Sequence, residues 1–240
     1  MTGTDASAGT YPRAHRIHSV GRMTPTTLYR LAGQAGVVTG VLLLFNDARR
    51  VGLVPENALT HSIAPLGAFL APFVLTGIYL WQRERVGTIG LWGYVLSAFG
   101  LVGLAAAEFT LHFVFPLLDK ATVDRLVDGR TGSGFLVISV AFLAGTVLFG
   151  PSMWRAGLFP RPAIALYLVG FVPVALRPLL PASVVSLAFV LGSAAIIWFS
   201  MVLVTPDKRG SVLNRPGGHR EHGTVTNDTP PTGPRASTPR

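Results

Sequence analysis

The chain has 240 residues, of which half are hydrophobic, only 13% are charged and none is cysteine. A soluble domain carries about twice that charge fraction, so an ordinary water-soluble domain is excluded. So are disulfides, thiolate metal sites and cysteine nucleophiles. The formal charge of +9 matches the Arg-rich flanks of membrane proteins, and no nucleic-acid partner is expected from a chain whose apolar half suits lipid.

Residues 1–26 are polar, rich in Thr, Ser, Arg and His, and read as a flexible basic lead. They are not a signal peptide: the apolar run begins too late, and Asn46-Asp47-Ala48-Arg49-Arg50 follows it instead of a small-residue cleavage site. A bilayer core asks for about 20 apolar residues per helix. Six runs approach that length: 27–45, 63–81, a third from 89 that stays largely apolar to 118, then 134–153, the shorter 163–176, and 182–204. They are continuous and not alternating, which predicts helices and not a barrel. The expectation is an all-α polytopic membrane protein with six spans in one bundle over 27–204. Residues 205–240 are Pro, Gly, Thr, Arg and His without periodicity; they cannot bury enough apolar surface to offset chain entropy and are expected to be a disordered tail.

Arg and Lys counted on alternate sides of these spans number 14 on the side of both termini and the 82–88 and 154–162 loops, against 6 on the other. The richer side is expected to be cytoplasmic. This predicts a multi-pass protein of the cell membrane with both ends inside.

Glu108 and His112 interrupt the third run four residues apart, on one helix face. A carboxylate at membrane depth is costly unless paired, hydrated or protonated, which makes it a functional candidate. If the span ends near residue 107, the same residue sits at headgroup level and merely anchors the helix. The span order brings Asn46, Asp47, Arg49, Arg50, His61, Glu108, His112 and Arg177 to the same end. Arg177 is the natural counter-ion for Glu108, with Arg49 and Arg50 as competitors. Such a cluster either lines a small-molecule pocket or staples helix ends together.

Gly36 and Gly40 form a small-xxx-small stripe in the first span, with Gly33 a turn earlier. The stripe suits close packing, against a helix of the same chain or of a second copy or other membrane subunit. Pro72 and Pro173 interrupt the second and fifth spans. His219 and His222 lie in the tail, where two ligands make no metal site. No phosphate-binding loop, dinucleotide fingerprint, nucleophile elbow or zinc-protease motif is present, and no Lys in any span can carry retinal. Haem would have only His112 and His61 to use. No cofactor or metal is expected, and no catalytic residue is assigned. The functions left open are a small-molecule or proton-coupled carrier, an accessory membrane subunit, a scaffold with basic tails, and a membrane-embedded enzyme on a lipid or isoprenoid with Glu108 as acid.

Overall fold

The structure, a computed structural model, describes residues 25–55, 57–63 and 65–205. The basic lead up to residue 24 and the tail from 206, with His219 and His222, lie outside the described residues. The described residues form helices and turns with no strand among them: α1 (Pro25–Arg50), α2 (Ala58–Ile63), α3 (Leu66–Phe109), α4 (Lys120–Asp128), α5 (Arg130–Ala156), α6 (Arg161–Ala175) and α7 (Ala182–Val204). Among the described residues, four helical stretches are long and apolar enough to cross a membrane: 26–50, 59–117 (which contains α3), α5 and α7. Helix α6 is apolar but has only 15 residues.

The 44-residue α3 is not one rod. At Gly87 the backbone leaves the helical region (φ 61°, ψ −164°). Tyr79 and Tyr94 stack with ring centroids 4.3 Å apart, and the Thr76 hydroxyl is 3.1 Å from that of Tyr94. In a straight helix, residues 15 and 18 apart would be separated by about 22 and 27 Å. The chain therefore folds back at Gly87, giving two antiparallel limbs, 66–86 and 88–109. The expected 82–88 loop contracts to one residue. Gln82, expected in that loop, is instead helical and 1% exposed, and its amide finds no hydrogen-bond partner.

Glycines set the spacing of the helices. A Cβ at Gly93 or Gly100 would come within 2.6 Å of the backbone of Phe149 or Phe142, so the second limb of α3 lies directly on α5. Gly33, Gly36 and Gly40 of α1 face Val204, Ser200 and Ile197 of α7. The small-residue stripe is thus occupied by a helix of the same chain. With α1 on the first limb, α5 on α6 and α6 on α7, the pairings run in a closed order around a buried cluster. That cluster includes Ile78, Phe142, Phe149, Met153, Tyr167 and Phe199. Large apolar side chains also point outward, among them Phe73, Trp92, Phe99, Leu136 and Leu187.

Two short helices lie where only loops were expected. Asp119 caps α4 by accepting from the Thr122 backbone N–H at 2.9 Å. The Thr122 hydrogen bonds hold its carboxyl below the ordinary Asp range. Asn57 and Thr60 cap α2 reciprocally, each side-chain oxygen accepting from the other's backbone N–H at 2.9 Å. Helix α1 also runs five residues past its expected end at 45. It stops only at Gly52 (φ 79°), where Leu53 N–H donates to Ala48 O and Gly52 N–H to Arg49 O, the paired bonds of a Schellman closure.

Gly87 and Gly134 both have open space where a Cβ would go, yet Ala should act oppositely at the two. Gly87→Ala forces an L-residue into a region only glycine populates readily and should cost about 1–3 kcal/mol. Gly134→Ala, inside α5, should be neutral or stabilise by up to about 1 kcal/mol. Thermal melts of the purified variants decide it, and equal melting temperatures for the two would refute the backbone argument.

Candidate functional site

The charged end of the packed helices forms because α1 does not stop at its apolar boundary. Its helical extension carries Asn46, Asp47, Arg49 and Arg50 beside the C-terminal end of α3, the turn after α6 and the start of α7. Glu108 and His112 come from the last turn of α3 and a π turn (Thr110–Val114) that continues it. Pro173 removes a backbone donor within α6, and the helix ends at Ala175. A 3-10 turn (Arg177–Leu179) then presents Arg177.

Glu108 is the centre of the cluster and is 8% exposed. Arg50 Nη2 donates to its Oε1 at 3.2 Å, and Arg177 Nη1 lies 3.5 Å from the same oxygen. Oε2 has His112 Nδ1 at 3.6 Å and no hydrogen bond. One carboxylate thus ties α1, α3 and the α6–α7 turn together. The expected Arg177 partner is present, and Arg50 sits closer still.

His112 is fixed at both nitrogens. Nδ1 is 2.8 Å from the Glu108 carbonyl oxygen, which can only accept. Nε2 is 3.0 Å from Arg49 Nη2, which can only donate. These contacts select the imidazole with its hydrogen on Nδ1 and leave no ring nitrogen for haem or metal. Among the described residues no group of three His, Cys, Asp or Glu is arranged to hold a metal ion. Arg49 is buried and also donates to Asn46 Oδ1 at 3.2 Å. The His61 ring meets that of His112 edge-on at 5.5 Å, and its Nδ1 is buried without a hydrogen bond.

Ser186 and Phe189 of α7 complete the cluster. The Ser186 hydroxyl donates to Asp47 Oδ2, and the Arg50 guanidinium lies 5.1 Å above the Phe189 ring. Neither was singled out from sequence. The Arg177 side chain is 27% exposed and lies beside Glu108. It remains charged, as guanidinium does in proteins.

The cluster borders a cavity between the helices. The space is about 970 Å³, its open part included. Asn46, Glu108 and Arg177 stand at one end, and Ile78, Met153 and Phe199 line it towards the Gly87 end. Between them the walls are apolar except for Thr39 and Tyr167. A second pocket lies against Asp47, Arg50, Arg177 and Ser186, with Val51, Leu180, Ala182 and Val185 forming the apolar part of its wall. The two spaces share Arg177.

Compared with known proteins, the chain matches no family model, no curated protein and no solved structure.

With two guanidinium groups on one carboxylate, Glu108→Gln should destabilise more than Arg50→Gln or Arg177→Gln. It removes both charge-assisted contacts at once, whereas either Arg variant leaves the carboxylate one partner. Each Arg should couple to Glu108 by about 0.5–3 kcal/mol in a double-mutant cycle. Chemical or thermal unfolding of the single and double variants measures this, and additivity within about 0.5 kcal/mol would show that the pair does not interact.

Proposed function

We propose that the chain is a six-crossing protein of the cell membrane, with both termini cytoplasmic, that binds a single-chain amphiphile between its helices. The crossings would be α1, the two limbs of α3, α5, α6 and α7. Outward-facing Phe73, Trp92, Phe99, Leu136 and Leu187 suit a lipid solvent, since soluble monomers rarely expose contiguous apolar surface on this scale. Helix α6 rises only about 22 Å against a hydrocarbon core of about 30 Å. Its span would need the adjoining turns and some local thinning of the bilayer.

The observation that carries the binding reading is the cavity with one charged end. Its apolar walls extend about 15 Å along α7, from Phe189 to Phe199, at 1.5 Å per residue. An apolar chain replaces water there favourably, while a polar head remains beside Glu108 and Arg177. Inward from Glu108 and Arg177 the lining holds no further carboxylate, His or Lys, and Thr39 and Tyr167 are its remaining polar groups, too few for a continuous proton relay through the cavity. A carrier or accessory subunit that holds the amphiphile fits these features.

One feature favours a second reading, an enzyme acting on a lipid or isoprenoid: Glu108 itself borders the cavity. Acid catalysis would have to use Oε2, because Oε1 is occupied by Arg50 and Arg177. Loss of turnover of a bound prenyl phosphate in Glu108→Gln, with binding retained, would favour the enzyme.

A fluorescent fatty acid titrated into the protein in phosphatidylcholine nanodiscs tests binding. Ala71→Phe should abolish saturable binding by filling the cavity, and the smaller filler Ala71→Leu should weaken it. Unaltered binding in both, with both folded, would remove the cavity as the binding site. Topology is tested separately. The chain has no cysteine, so single cysteines at Thr10, Glu56, Arg125 and Val225 report directly. Glu56→Cys and Arg125→Cys should label from outside intact cells, and Thr10→Cys and Val225→Cys only after permeabilisation. The reverse pattern would invert the orientation.

A further inference from the structure

We infer that the head group of this amphiphile is an anion, a carboxylate or a phosphate, held between Arg50 and Arg177. The inference rests on the amphiphile reading and adds the chemistry of the head.

Charge is the first argument. Arg50 and Arg177 share the one carboxylate of Glu108, so these three groups carry one positive charge in excess. Donor supply is the second. A guanidinium has five N–H donors and no acceptor. Arg50 and Arg177 direct one nitrogen each at the same Glu108 oxygen, so most of their donors remain for another acceptor. Their side chains are 29% and 27% exposed, whereas Arg49 is buried against Asn46 and His112.

Place is the third. Arg50 and Arg177 both line the second pocket, and Arg177 also borders the apolar cavity. A molecule with its chain in the cavity therefore brings its head to the two guanidinium groups. These groups lie within reach of a single carboxylate, as Glu108 shows, so one bound carboxylate or phosphate can span them. Charge-assisted bonds of that kind are the strong ones, and Arg offers them in a planar fork. Asp47 also lines the pocket, but its Oδ2 already accepts from Ser186. It sets the Arg side of the pocket as the place for negative charge. A cationic head would meet two guanidinium groups and is disfavoured.

The experiment compares three ligands of matched chain in phosphatidylcholine nanodiscs, with empty nanodiscs as the partition control: oleate, lysophosphatidate and the neutral monoolein. Wild type should bind one or both anions at least about tenfold more tightly than monoolein, a difference of about 1.4 kcal/mol. The tighter of the two anions identifies the head as carboxylate or phosphate. Arg50→Gln/Arg177→Gln should lose this preference while still binding monoolein. If that variant does not fold, Arg50→Lys/Arg177→Lys and a salt titration of wild type replace it. The anion preference should fall with the Lys pair, which loses the planar fork, and between 50 and 500 mM NaCl, with monoolein unchanged. Equal binding of neutral and anionic ligands by wild type would overturn the anionic head and leave the amphiphile reading standing. So would a preference that survives in the Gln pair, or one that survives both the Lys pair and salt. Failure of all three ligands to bind would overturn both.

Discussion

A carboxylate removed from water must be matched by positive charge or by donors, or the structure around it rearranges. Glu108 meets that requirement through Arg50 and Arg177, and much of the rest follows. To reach it, Arg50 has to stand on a helix that continues past its apolar run. Arg177 has to be delivered by a helix that stops early, which Pro173 and the 3-10 turn accomplish. The elements that meet at Glu108 are therefore not free to slide along one another. The cavity end they define carries both signs of charge, Glu108 and Arg177.

The helical class and the position of most long helices were legible in the sequence, because continuous apolar runs near 20 residues have few other uses. What misled was the assumption that a helix ends where its apolar run ends. Charge does not break a helix; α1 carries Asn46, Asp47, Arg49 and Arg50 as ordinary helical residues and closes only when Gly52 supplies a left-handed conformation. The same assumption placed Gln82 in a loop. The short helices α2 and α4 did have a local signal, in the Asn57–Thr60 and Asp119–Thr122 spacings. It was hidden by attention to hydropathy alone.

For the site, the sequence brought Glu108, His112, Arg177, Arg49, Arg50 and His61 to one end by span counting. It could not rank the counter-ions, because Arg49 and Arg50 are neighbours and differ only by 100° of helix rotation. That rotation sends Arg49 inward to His112 and Arg50 to Glu108. Ser186 and Phe189 gave no signal, since a Ser and a Phe within an apolar helix are commonplace. The cavity was illegible for a different reason: it is a property of the space between residues far apart in the chain, and no residue announces it.

The reversal at Gly87 has a consequence for how this chain can vary over time. Most connections between antiparallel helices tolerate a gained or lost residue, because slack in the loop absorbs it. Here there is almost no slack. An insertion or deletion in the second limb turns everything beyond it by 100° and moves it 1.5 Å. That would carry Gly93 and Gly100 off their close approach to α5 and swing Glu108 away from both guanidinium groups. Within this hairpin, length polymorphism should be purged more strongly than substitution. The phase of the helix is itself an inherited trait, kept by the count of residues between the bend and the carboxylate.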